Sequence, residues 1–170
     1  MKKYITTRLI IFSIFLLGLS IFLHIYKLGE IPHGLHVDES SIAYNSFCIL
    51  ETGRDEHGKR FPLFFECFGD YKNPLKIYML VPVIKIFGME KVVIRSISVV
   101  FHILASFLFC FLAWKYLSNT WISILAGFVF SILPWTFPVS RLLFGHTIFL
   151  LLFILSCFFI FKMLDTNKII

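Results

Sequence analysis

Hydrophobic side chains dominate four long stretches of the chain. Three of these contain no Asp, Glu, Lys or Arg and cover residues 9–26, 97–114 and 142–161. At about 1.5 Å per helical residue, each is long enough to cross roughly 30 Å of hydrocarbon. A fourth, residues 120–140, contains Pro134 and Pro138. We expect that helix to break at the far membrane face, where water can satisfy the freed carbonyls.

The pattern therefore predicts an all-α membrane protein with about four transmembrane helices, at about 9–26, 93–114, 120–138 and 142–162. Residues 27–92 form a long connecting loop. Composition supports this, because 58% of the 170 residues are hydrophobic and 22 of them are Phe. A soluble domain of this length cannot bury so much apolar side chain.

Charge predicts the orientation. Lys2, Lys3 and Arg8 precede the first hydrophobic stretch and favour a cytoplasmic N-terminus. A signal peptide is the alternative, but the stretch is long for one and no small-residue cleavage site follows. Four crossings place both termini in the cytoplasm and the loop outside. The net charge of +6 indicates anionic lipid headgroups as partners in preference to nucleic acid.

Two short helices are predicted in the outer loop. The first covers residues 39–52, with Asp38 as N-cap, Gly53 after its end, and an apolar face of Ala43, Phe47 and Leu50. Both helices are too short to span a bilayer, so we expect them to lie in the membrane interface.

The second loop helix begins after Asn73-Pro74, a strong N-cap and first-turn signal, and ends at Gly88. Its expected apolar face holds four residues: Leu75, Tyr78, Met79 and Pro82. Phe61 to Phe68 reads as an aromatic-rich connector between the two helices.

Nine of the ten carboxylates lie between Glu30 and Glu90. Asp38 and Glu39 stand at the start of the first loop helix, and Lys72 stands just before the second. A helix N-terminus beside a lysine is a phosphate site, and a carboxylate at such an N-terminus remains an anion. That anion can accept a proton or bind a divalent cation.

Several short motifs occur in a characteristic order. They are His36-Val37-Asp38-Glu39, Thr52-Gly53-Arg54-Asp55-x-x-Gly58, Gly69-Asp70-Tyr71-Lys72-Asn73-Pro74-Leu75, Gly88, Arg95, Pro134-Trp135 and Ser140-Arg141. In this order the chain resembles the N-terminal part of bacterial membrane glycosyltransferases of the GT-C fold. Those enzymes are similar to dolichyl-phosphate-mannose–protein mannosyltransferases and to the aminoarabinose transferase acting on lipid A.

The resemblance implies a function and a location in a bacterial-type plasma membrane. A sugar would pass, with inversion, from a polyprenyl-phosphate carrier to a glycan, lipid or protein acceptor on the outer side. Asp38 would be the catalytic carboxylate with Glu39 beside it, and Lys72 and Arg141 would contact the carrier phosphate.

The motif before Pro74 departs from the family pattern. Asn73 replaces a proline, and Tyr71 occupies the position of an acid that Asp70 is expected to replace.

Other readings stay open at this point. Asp38 and Glu39 are also ordinary residues for a first helical turn, and Lys72 and Arg141 are also ordinary cations at a membrane surface. A divalent metal and a Cys48–Cys67 disulfide are not decided by the sequence. Because family members have more membrane helices, we expect a truncated module. The alternative function is a non-catalytic remnant, or a subunit that binds lipid carriers or partner helices.

Overall fold

The computed structural model describes residues 2–167, with side chains from residue 7 to residue 165. It is 71% helical with almost no sheet. In chain order the elements are α1 (Lys2–Ile25), α2 (Val37–Thr52), β1 (Phe65–Cys67), β2 (Asp70–Lys72), α3 (Pro74–Phe87), α4 (Lys91–Leu117), α5 (Thr120–Ser131), α6 (Thr136–Ser140) and α7 (His146–Asn167).

Three helices in the described part of the chain are long and apolar enough to cross a membrane. These stretches are Thr7–Ile25, Lys91–Leu117 and His146–Asp165. They match three of the four predicted spans and indicate an integral membrane protein.

The fourth predicted span is shorter than expected. The helix α5 has 12 residues, which corresponds to about 18 Å, well below the thickness of the hydrocarbon. The chain turns at residues 132–135 before α6 begins. Pro134 explains the early stop, because proline disfavours helical geometry in the residue before it and donates no hydrogen bond. The predicted break therefore occurs, but several residues before the expected position.

The chain divides into two compact units. The membrane unit comprises Met1–Tyr26, Val99–Ser140 and His146–Ile170, and the loop unit comprises Lys27–Ser98 and Arg141–Gly145. In the membrane unit, Ala105, Leu112 and Ile154 form a buried apolar cluster. The Ser20 hydroxyl of α1 donates to the Ser131 hydroxyl of α5 at 2.9 Å, a buried polar contact between two helices.

In the loop unit, α2 packs against α3. Ile42 and Ile49 are buried on α2, and Ile77, Leu80 and Ile84 are buried on α3. The Ser46 hydroxyl donates to the Ile77 carbonyl at 3.0 Å and ties the two helices together. The packing therefore combines apolar burial with a hydrogen bond between neighbouring elements.

The apolar faces predicted for these helices are not the faces by which α2 and α3 pack against each other, and their placement in a membrane interface stays a prediction. Phe47 and Leu75 are 41% and 45% exposed, although Ala43 is buried as expected. Both helices carry apolar residues on more than one side, so periodicity alone does not identify the side that packs. Gly53, with φ of 68°, and Gly88 end α2 and α3 as predicted.

The connector between α2 and α3 contains a β-hairpin that was not predicted. Its strands, β1 and β2, pair antiparallel, with Phe65 opposite Lys72, Glu66 opposite Tyr71 and Cys67 opposite Asp70. The fold is therefore mainly, but not wholly, α-helical. A three-residue strand is too short to show the alternation of apolar and polar residues by which strands are recognised in a sequence.

Candidate functional site

The first turn of α2 positions Asp38. The N-cap is His36, not Asp38 as predicted: the His36 imidazole Nδ1 accepts from the Asp38 backbone N–H at 3.2 Å. The Glu39 carboxylate accepts from the His36 backbone N–H at 3.0 Å and completes a capping box. Because His36 takes the capping role, the half-buried Asp38 carboxylate is available for other contacts.

The hairpin positions Lys72. Residues opposite each other in a strand pair project to the same face, so Lys72 shares a face with Phe65, which is fully buried. Tyr71 shares the opposite face with Glu66 and is 62% exposed. Strand alternation thus directs Lys72 inward and Tyr71 outward.

Asp38 and Lys72 form the centre of the site. The Lys72 ammonium Nζ lies 2.8 Å from Asp38 Oδ1 and 3.6 Å from Asp70 Oδ2. The hydrogen bond with Asp38 raises the pKa of Lys72 above its ordinary value, against the lowering effect of burial. The lysine therefore stays cationic, and it faces a carboxylate that remains accessible from solvent.

Glu39, the neighbour of Asp38, occupies a different environment. Its carboxylate is fully buried, and Oε1 accepts from Arg95 Nε at 3.1 Å and from the Leu143 backbone N–H at 3.0 Å. Burial alone would raise the pKa of Glu39, but the hydrogen bonds from Arg95, His36 and Leu143 outweigh it and lower the pKa. Glu39 is thus an internal counter-ion, and the structure does not bring it to the surface beside Asp38.

Arg95 was not singled out as a site residue, yet all five N–H groups of its guanidinium donate hydrogen bonds. It is fully buried at the start of α4, where Nη2 donates to Glu39 Oε2 at 3.2 Å and to the Gly34 carbonyl at 2.7 Å. Nη1 donates to the carbonyls of Leu28 and Pro32 at 2.9 and 3.0 Å. The guanidinium therefore ties the chain before α2 to the first turn of α2.

Arg141, a predicted phosphate contact, lies in the same neighbourhood as Arg95. It is 6% exposed and donates to the Ile31 carbonyl at 3.1 Å. Burial, followed by the positive charge of Arg95, lowers the pKa of Arg141. Arg141 thus contacts the chain that leads into α2, whereas Lys72 contacts Asp38 directly. The predicted role of Arg141 stays a prediction.

A second buried cation, Lys76, was also missed by the sequence reasoning. Its side chain is 4% exposed, and Nζ donates to the Ser98 hydroxyl at 2.8 Å. Burial lowers the pKa of Lys76 to about 7, although the charge of Glu39 opposes this. The sequence contains no feature that predicts the burial of Lys76, because a lysine in the first turn of a helix is usually exposed.

The two carboxylates nearest Lys72 are Asp38 and Asp70. Asp38 and Asp70 both contact the Lys72 ammonium, which occupies the position between the two carboxylates. Among the described residues, no group of three His, Cys, Asp or Glu side chains is arranged to hold a metal ion.

The turn after α2 and the cysteines complete the loop unit. The amide of Asn45 donates to Glu56 at 2.9 Å, and its oxygen accepts from the Glu56 backbone N–H at 3.1 Å. This pairing docks the charged turn onto α2. Cys48 and Cys67 are both free thiols, so the disulfide considered from the sequence is not formed.

Of the sequence-predicted site residues, the structure brings together Asp38, Lys72 and Asp70. It places Tyr71 on the outer face of the hairpin, and it places Glu39 and Arg141 among buried contacts. Comparison with protein-family models, curated proteins and solved structures gave no match.

Proposed function

We propose that this chain is a membrane module of a glycosyltransferase that takes a sugar from a polyprenyl-phosphate carrier, with Asp38 as general base and Lys72 as the phosphate contact. The observation that carries the proposal is the 2.8 Å contact between Asp38 and Lys72. One group that accepts a proton and one that binds a departing phosphate are thus adjacent and partly exposed.

The reaction is a single displacement with inversion. Asp38 takes the proton of the acceptor hydroxyl, and that oxygen attacks the anomeric carbon of the sugar. The bond between this carbon and the phosphate oxygen breaks, and the phosphate leaves with the bonding electron pair. Lys72 stabilises the negative charge that develops on the phosphate.

The contact between Asp38 and Lys72 supports this scheme because each side chain neutralises the charge of the other. A carrier phosphate entering the site competes with Asp38 for the Lys72 ammonium. When the phosphate binds, Asp38 loses its counter-ion and becomes a better proton acceptor. Donor binding would therefore prepare the base.

The supporting residues make the first turn of α2 rigid. Arg95 and Glu39 fix the backbone on both sides of His36, and His36 in turn caps the backbone N–H of Asp38. A catalytic group gains from such support, because small displacements reduce the rate strongly. Glu39 is a positioning residue in this proposal.

The proposed topology has four crossings, with both termini cytoplasmic and the loop unit outside. The three long apolar helices support three of these crossings. The fourth would be made by α5 and α6 in succession, with the turn at Pro134 between them. Membrane-impermeant thiol labelling tests it, with single cysteines introduced at Glu51 or Lys162 into a variant whose four native cysteines are replaced by alanine. Labelling of Glu51→Cys alone from the outside is expected, and labelling of both or of Lys162→Cys alone would contradict it.

The function is tested by sugar transfer. The chain in lipid nanodiscs is incubated with radiolabelled polyprenyl-phosphate sugars and candidate glycan, lipid and peptide acceptors. Wild type is expected to transfer, Asp38→Asn to lose transfer, and Asp38→Glu to retain a fraction. Glu66→Gln is the matched control, because Glu66 also pairs with a lysine, Lys59, but on the outer face of the hairpin.

Retained transfer by Asp38→Asn would reject Asp38 as the base. Carrier binding by wild type without any transfer would favour the alternative, a non-catalytic subunit that binds lipid carriers.

A further inference from the structure

The segment around β1 leaves large apolar side chains exposed in the loop unit. Leu63 and Phe64 precede the strand and are 77% and 62% exposed, and Phe68 follows it and is 79% exposed. We call these three residues the hairpin patch. They are among the most exposed large hydrophobic residues of the loop unit, and α2 and α3 do not cover them.

The hairpin turn exposes Phe68 at a backbone cost. Phe68 and Gly69 have φ of 51° and 77°, the positive values that a two-residue turn of type I′ requires at both central positions. Asn, Asp or Gly is the usual first residue of such a turn, and a bulky aromatic residue is an outlier there. The sequence thus places an aromatic ring at the tip of the hairpin where small polar residues are easier to accommodate.

Cations lie next to this segment in the chain. Arg54 and Arg60 are exposed, and they face each other in an isolated antiparallel bridge. Exposed aromatic and aliphatic groups beside basic residues match the boundary between anionic headgroups and acyl chains.

The loop unit is joined in sequence to two candidate membrane spans. The loop unit begins at Lys27, two residues after the span Thr7–Ile25 ends, and its last long segment runs into the span Lys91–Leu117 within α4. From these observations we propose that the hairpin patch inserts into the headgroup–acyl boundary of the membrane that the chain crosses. The inference is independent of any glycosyl-transfer activity.

The test uses tryptophan fluorescence of the full chain. Trp114, Trp121 and Trp135 are replaced by Phe, and single tryptophans are introduced as Phe68→Trp, Leu63→Trp or Glu51→Trp. Glu51 is the control because it is an exposed, charged position on α2 in the same unit. Each protein is placed in nanodiscs that contain phosphatidylglycerol, and quenching by brominated phosphatidylcholine is compared with quenching by acrylamide.

Phe68→Trp and Leu63→Trp are expected to emit at shorter wavelength than Glu51→Trp. We expect brominated lipid to reduce their emission at least twofold and acrylamide to have little effect, with the reverse for the control. Two patch positions keep the test decisive if one replacement disturbs the hairpin.

Strong acrylamide quenching and no lipid quenching at both positions would overturn the proposal. Blue-shifted emission that neither quencher reduces would also overturn it, because it would mean that a protein partner or a second copy of the chain covers the patch.

Discussion

Glu39 and Arg95 bind each other out of contact with solvent, with Arg95 Nε 3.1 Å from Glu39 Oε1 and both side chains 0% exposed. Arg95 also binds three backbone carbonyls, and Glu39 also accepts two backbone N–H groups. Every donor of the guanidinium is therefore used. Such a pair fixes the conformation of the surrounding chain, since any rearrangement leaves buried charges without partners in an apolar environment.

Breaking this pair from one side should strongly destabilise the protein. We expect Arg95→Met to lower the free energy of unfolding by about 3–5 kcal/mol, because it leaves the Glu39 carboxylate buried without its counter-ion. Glu39→Gln should act in the same direction. Thermal unfolding in detergent, followed by circular dichroism, measures both.

The double variant Arg95→Met/Glu39→Gln distinguishes a coupled pair from two independent effects. Its loss of stability should be clearly smaller than the sum of the single losses. Glu66→Gln serves as the control, because it removes one partner of the exposed pair with Lys59 and should leave the melting temperature unchanged. Additive effects at Arg95 and Glu39 would refute the coupling.

The Asp38–Lys72 pair predicts opposite effects on binding of the lipid phosphate. Lys72→Met should weaken binding of polyprenyl phosphate, because the cation is lost. Asp38→Asn should strengthen it by roughly 3–10-fold, because a competing and repelling carboxylate is removed. Binding of a fluorescent polyprenyl phosphate to the protein in nanodiscs measures both. Weaker binding by Asp38→Asn would show that the carboxylate does not compete with the phosphate.

Lys76 predicts a pH dependence of stability. Its pKa is about 7 in the folded chain and about 10.4 in an unfolded one. Between these values the unfolded chain binds the extra proton, so stability rises with pH across this window and is lowest below pH 7. The cost below pH 7 is on the order of 4 kcal/mol.

Lys76→Met should remove this dependence. We expect the variant to unfold at a higher temperature than wild type at pH 6 and at nearly the same temperature at pH 10. Melting curves of both proteins at these two pH values provide the check. Lys85→Met is a suitable control, since Lys85 lies on the same helix and is exposed. An equal shift of both variants at both pH values would contradict a buried, weakly basic lysine.

The parts of the fold that follow from local rules were predictable. Long apolar stretches predicted three spanning helices. Asn73-Pro74 predicted the start of α3, and Gly53 and Gly88 predicted the ends of α2 and α3. The buried face of α2 was not predictable in the same way, since Ser46 and Ile49 pack inward while Phe47 faces out. Its hydrophobicity made Phe47 the expected buried residue, but the contact with α3 determines which face of α2 is buried.

The candidate site was predictable only in part for a related reason. Asp38 and Lys72 are 34 residues apart in sequence, and each was singled out because it precedes or opens a helix. Their contact depends on the hairpin, whose short strands carry no clear pattern. Arg95 was named in the motif series but was given no role, because a cation near the start of a spanning helix usually anchors to headgroups. Only the tertiary structure reveals its five hydrogen bonds.

Helix packing in the membrane unit depends on Gly127. A Cβ atom placed on Gly127 would lie 2.5 Å from Cys110 Cβ and 3.3 Å from Cys110 Cα, so α5 approaches the backbone of α4 closely. Gly127→Ala should therefore force the two helices apart and cost roughly 1–3 kcal/mol of stability. Gly18→Ala is the matched control in α1, because nothing lies within 4 Å of its added Cβ, and it should be neutral or slightly stabilising. Melting temperatures of both variants in the same detergent decide the matter, and equal values would show that α4 and α5 do not require a glycine at their contact.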